Sequence, residues 1–129
     1  MAGDRTADGV RIAQLLASEI VGDGDRLADA DVSDADPDVE PTTEGALAYR
    51  VRADGERLAA VFVQPDRVRV EFLAAPDAAA EAADGAGLRT RPKAVRPPRT
   101  VVFVEDGAQV KRVLPAFEAV AEGGDAERR

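Results

Sequence analysis

Residues 47–72 read Leu47-Ala48-Tyr49-Arg50-Val51-Arg52-Ala53, then Asp54-Gly55, then Glu56-Arg57-Leu58-Ala59-Ala60-Val61-Phe62-Val63-Gln64, then Pro65-Asp66, then Arg67-Val68-Arg69-Val70-Glu71-Phe72. Two turn-forming pairs separate three apolar-rich runs. The pattern predicts three antiparallel strands, a meander over 46–73. Asp-Gly between such runs is a strong hairpin signal, because a type I′ turn needs φ > 0 at both central positions and glycine meets no steric obstacle there.

A two-residue turn at Asp54-Gly55 sets the register. Ala53 then faces Glu56, Val51 faces Leu58, Tyr49 faces Ala60 and Leu47 faces Phe62, all on one side of the ribbon. Arg52 falls opposite Arg57, a like-charged pair. At Pro65-Asp66 two loops compete. A two-residue loop aligns Val68, Val70 and Phe72 with Val61 and Val63. A three-residue loop over 65–67 with a bulge sets them beside Ala60 and Phe62 instead. The second is expected, because it gathers the large apolar groups on one side and suits Pro65 in a type I turn. A Gln64–Arg67 pair would mark the other register. The run 56–64 is apolar on both faces, so it is expected to be central and covered on both sides.

Working outward, 6–21 reads as a helix. Thr6 is the expected N-cap, Asp8 suits the first turn, and Ile12, Ala13, Leu16, Ala17 and Ile20 form one stripe before Gly22. An edge strand is expected near 27–32. Pro76 opens a short alanine-rich helix ending near Asp84-Gly85. Residues 88–91 form a brief extended piece, and Pro97-Pro98 interrupts the chain before a strand at 100–105. Asp106 to Gln109 resembles a capping box. Val110, Val113, Leu114, Phe117 and Val120 then keep one helical stripe through Pro115, which predicts a kink rather than a stop. The chain reads as one α+β domain over 1–129. Its antiparallel sheet packs against N- and C-terminal helices, its ordered core covers about 6–121, and its tails at 1–5 and 123–129 are expected to be disordered.

At 129 residues such a domain buries roughly 65% of its unfolded surface. No run of about 20 apolar residues is present to span a bilayer, and the start lacks a secretory pattern, so a cytoplasmic protein without membrane contact is expected. The net charge is -8, with 15 Asp to 10 Glu and 15 Arg to 2 Lys. Acid-rich, lysine-poor chains suit concentrated salt, where at about 1 M the Debye length is roughly 3 Å and carboxylates barely repel.

The segments Asp34-Ala35-Asp36-Pro37-Asp38-Val39-Glu40-Pro41, Gly45-Ala46-Leu47-Ala48-Tyr49-Arg50-Val51-Arg52-Ala53-Asp54-Gly55 and Val63-Gln64-Pro65-Asp66-Arg67 resemble a family of small haloarchaeal proteins of unknown function. The resemblance covers about 6–121. It implies a haloarchaeal cytoplasm and brings no catalytic motif with it.

The chemistry available is narrow. With 0 His and 0 Cys, nucleophile pairs and zinc or copper sites built on those side chains are excluded. Ser18 and Ser33 lie in no hydrolase context, and no glycine-rich phosphate loop occurs. No catalytic residue and no cofactor is expected, and Tyr49 is expected in the core or at its rim. Two segments remain. Asp34, Asp36, Asp38 and Glu40 are weak candidates for a hard cation. Asp29, Asp31, Ser33 and Glu40 have EF-hand-like spacing, but Asp34 stands where that loop needs glycine. The second is Arg89, Arg91, Lys93, Arg96 and Arg99, a basic stretch with no acid from Leu88 to Val104. It has no interleaved aromatics for stacking bases, and phosphate contacts weaken with salt, so nucleic acid is a poor fit. Pairing with the acids of 23–44, in the same chain or a neighbour's, is expected instead. The leading expectation is a small non-catalytic binding module with a protein partner, including a homodimer. The alternatives are a divalent-cation-dependent enzyme using the 34–44 carboxylates and nucleic-acid binding through 89–99.

Overall fold

The computed structural model describes residues 8–22, 27, 29–53 and 55–127, with 123–127 by backbone alone. In chain order the elements are α1 (Gly9–Gly22), β1 (Ala30–Ser33), β2 (Ala46–Ala53), β3 (Glu56–Gln64), β4 (Arg67–Phe72), α2 (Pro76–Gly85), β5 (Arg89–Lys93), β6 (Arg99–Val104) and α3 (Val110–Glu127). The strands form one antiparallel sheet in the order β1-β2-β3-β4-β6-β5. The fold is α+β, as the sequence predicts. The strand expected near 27–32 forms at Ala30–Ser33, and the brief extended piece at 88–91 is the edge strand β5.

The first hairpin starts as expected, with Ala53 opposite Glu56, Arg52 opposite Arg57 and Gly55 at φ 79°. Asp54 lies outside the described residues. Two bulges then correct the register. Leu58 is an extra residue on β3, so Val51 faces Ala59. Ala48 is an extra residue on β2, so Tyr49 faces Val61 before Leu47 regains Phe62. Each bulge lets two successive apolar residues point the same way: Ala48 with Tyr49, and Leu58 with Ala59.

The second turn is also corrected. Gln64 pairs with Arg67, so Pro65-Asp66 is a two-residue loop. Val63, Val61 and Ala59 face Val68, Val70 and Phe72. The Leu58 bulge is the reason. It moves the apolar set of β3 from the 58-60-62 phase to the 59-61-63 phase, and the shorter loop matches that phase.

All three helices cover the same side of the sheet, so the expectation that β3 is covered on both sides fails. Ile12, Leu16 and Ile20 of α1, Ala79 and Ala83 of α2, and Val113, Phe117 and Val120 of α3 join one core with the inward strand residues. The rings of Phe72 and Phe117 meet edge to face with centroids 4.8 Å apart. Asp8 Oδ1 accepts from the Arg11 amide at 3.2 Å at the start of α1, and Thr6, the expected N-cap, lies outside the described residues. Gly9 lies against the β3–β4 turn, its amide donating to the Pro65 carbonyl at 3.2 Å. The Asp106 carboxylate accepts from the Gln109 amide, and the Gln109 side chain accepts from the Glu105 amide, a capping box returned one residue early. Helical backbone passes through Pro115 and on through Gly123-Gly124 to Glu127, where the glycine pair leads one to expect a disordered tail. Residues 1–5 and 128–129 lie outside the described residues.

Candidate functional site on the uncovered face of the sheet

Residues that alternate with the core set point away from the helices. One row across the strands is Leu47, Phe62, Arg69, Phe103 and Arg89, and the next is Arg50, Ala60, Glu71, Val101 and Arg91. Lys93 and Arg99 form the next pair at the β5–β6 end. Cationic side chains therefore stand on this face on β2, β4, β5 and β6, in a chain whose net charge is -8.

Three arginines lie over two of the rings. The Arg67 guanidinium sits 4.1 Å from the Phe103 centroid, Arg91 lies 5.5 Å from the same ring, and Arg69 lies 4.7 Å from Phe62. Phe103 is buried beneath Arg67 and Arg91, and Val101 and Ala60 on the same face are buried as well.

At the centre is Glu71, whose side chain is only 1% exposed. Lys93 Nζ lies 3.1 Å from both its carboxylate oxygens, and Arg99 Nη1 lies 3.0 Å from Oε1. Arg69 Nε is 3.1 Å from Oε2, an ionic contact not aligned as a hydrogen bond. Burial by itself pushes the pKa of this carboxyl up. The hydrogen bonds from Lys93 and Arg99 and the charges of Lys93 and Arg69 outweigh burial and hold it below the usual glutamate range. A second acid, Glu105, lies 3.6 Å from both Arg67 and Arg89.

Four of the five predicted basic residues thus lie on this face, on the hairpin of β5 and β6, and Arg96 is exposed in the connecting loop. Their partners correct the sequence reading. Among the described residues Lys93 and Arg99 pair with Glu71, and Arg89 with Glu105, rather than with an acid of 23–44. Arg67, Arg69, Glu71 and Glu105 were missed. For Arg67, Arg69 and Glu71 the signal is the alternation of β4, where they occupy every second position.

The acidic loop is not gathered into a cage. Asp34 Oδ2 lies 3.5 Å from Arg50, the Asp36 carboxylate accepts from the Asp38 amide at 2.9 Å, and Asp34, Asp36, Asp38 and Glu40 are all exposed. Among the described residues no group of three or more acids is placed to hold a metal ion. The loop instead borders an apolar cleft of ≈ 300 Å³ against α1, between Val10, Ala13 and Ala17 on one wall and Pro37 and Val39 on the other. Tyr49 lines that cleft but is committed to the core, its hydroxyl donating to the Ala13 carbonyl at 2.7 Å. Burial pushes its ionisation far above the usual tyrosine range, which removes it from acid–base work.

Among the described residues no helix is long and apolar enough to cross a membrane. A family model described as a family of unknown function, DUF7993, matches residues 1–129. No curated protein and no solved structure gives a significant match.

Proposed function

Because the chain belongs to that family of unknown function, we propose from its own geometry that it is a non-catalytic binding module whose uncovered sheet face docks an anionic partner. One observation carries this reading: cations from four of the six strands, β2, β4, β6 and β5, share a single face, while the chain as a whole is acidic. Such a separation of charge steers and orients an anionic partner. Two copies meeting through these faces would set like charges together, so the partner is a different, acidic surface rather than the same face of a second chain. The exposed, separated carboxylates of the 34–44 loop give no comparable support to cation-dependent chemistry.

Amide shifts of the isotope-labelled protein, followed during titration with a polyanion, test the docking face. Shifts are expected along β4, β5 and β6, with α1 to α3 unmoved. Shifts concentrated on the helices, or none, refute the proposal.

The same reading includes a cytoplasm of concentrated salt, supported by the acid excess and the lysine-poor composition. Folded structure is then expected to be lost at low ionic strength. A circular dichroism melt unchanged between molar and tens of millimolar salt removes that part.

A further inference from the structure

We infer that the anionic partner is an acidic polypeptide in extended form, whose carboxylates join Glu71 among Lys93, Arg99 and Arg91. This rests on the docking face proposed above and identifies what occupies it.

Three observations favour carboxylates over nucleic-acid phosphates. First, the rings are taken. Single-stranded nucleic acid depends on open aromatic faces for stacking. Phe103 is 4% exposed beneath Arg67 and Arg91, and Phe62 lies beneath Arg69. Bases find no platform here.

Second, the cluster already holds one carboxylate and has capacity for another. Three cations, Arg69, Lys93 and Arg99, surround the single carboxylate of Glu71. The Lys93 and Arg99 side chains keep 40% and 35% of their surface in solvent. An ammonium has three N–H donors and a guanidinium five, more than Glu71 uses. An incoming carboxylate meets the same donors, from the solvent side, that Glu71 meets from within.

Third, the spacing suits an extended chain. Arg89, Arg91 and Lys93 occupy alternate positions of the edge strand β5, opposite Phe103, Val101 and Arg99. Alternate residues of any strand are about 6.6 Å apart, so a peptide with an acid at every second position matches them. Arg91 is the central tooth of this comb. Its guanidinium lies 5.5 Å from the Phe103 centroid, and the residue is exposed to solvent.

The test uses the full chain, in salt where circular dichroism shows it folded. Fluorescence anisotropy compares a short labelled peptide with glutamate at every second position against a single-stranded oligonucleotide of equal charge. The peptide is expected to bind at least about tenfold more tightly. Arg91→Glu, at an exposed position, is expected to weaken the peptide by about tenfold or more, the size of one lost charge contact. Glu71→Gln removes the resident competitor and is expected to tighten peptide binding severalfold. An oligonucleotide that binds as well as the peptide overturns the inference while leaving an anion-docking face. If neither polyanion binds, both fall. Peptide affinity indifferent to Arg91→Glu also overturns it.

Discussion

The two faces of the sheet are built by the same strands and closed by different means. Along β4, Val68, Val70 and Phe72 are 0% exposed on the helix side, while Arg67 and Arg69 point the other way. On the helix side apolar volume meets apolar volume. On the other side Ala60, Val101 and Phe103 are buried almost as deeply, at 5%, 2% and 4%, and the cover shown over Phe103 is the guanidinium groups of Arg67 and Arg91. Degree of burial therefore does not separate the faces; the nature of the cover does. An apolar cover contributes mainly to stability, whereas a cover that carries charge can be shared with a partner.

The sharpest way to break this contrast is to cut one ring from each face. Phe117→Ala removes the partner of Phe72 from the helix side and is expected to destabilise by about 3–5 kcal/mol in denaturant titration. Phe62→Ala, on the half-buried open side, should lose only about 1–2 kcal/mol, from partial burial and its contact with Arg69. Equal losses would mean that the open face bears as much of the fold as the core does. The next effect is at Gly9, where a β-carbon would collide with the Gln64 carbonyl oxygen. Gly9→Ala must push α1 off the β3–β4 turn and is expected to lower stability by about 3 kcal/mol, read as a fall in the denaturation midpoint.

The element order was legible because helix and strand periods differ and because Asp54-Gly55 and Pro65-Asp66 punctuate the meander. The face of each strand was not. In β3 the residues Leu58, Ala59, Ala60, Val61, Phe62 and Val63 are all apolar, so alternation cannot say which set points inward. Two bulges at Ala48 and Leu58 then shift the phase without changing the composition. The basic stretch of 89–99 was legible as a unit because it lacks acids. Its link to Glu71 was not, since that pairing is made across the sheet by β4 lying beside β6. A local excess of acids at 34–44 drew attention as a site, although exposed loop carboxylates are held apart by their own repulsion and hydration.

Glu71 sharpens the comparison by asking what a buried charge does on the open side. Its carboxyl is held below the usual glutamate range in the folded chain. Its contribution is then full above the unfolded value, about pH 4.3, and is lost as pH falls through the lower folded value. Glu71→Gln should cost about 1–2 kcal/mol at neutral pH, a modest sum because Lys93 and Arg99 remain partly solvated and can rehydrate. The gap between wild type and variant should narrow steadily below about pH 4. Denaturant midpoints measured across that range check it. A gap that widens in acid would show that the cation cluster, rather than the carboxylate, sets the energetics of this face.

The smallest expected effect is the most discriminating. Arg91 is exposed, rests on Phe103 at 5.5 Å and belongs to an edge strand. Arg91→Ala should leave stability within about 0.5 kcal/mol, as surface positions away from networks usually do. The same substitution should lower affinity for an acidic peptide, because the lost guanidinium is exposed at the centre of the basic edge strand. Stability and binding measured on one variant then separate the roles of the two faces. If Arg91→Ala instead destabilises by as much as Glu71→Gln, Arg91 is part of the lattice that closes the sheet, and the docking surface must be sought among the other cations.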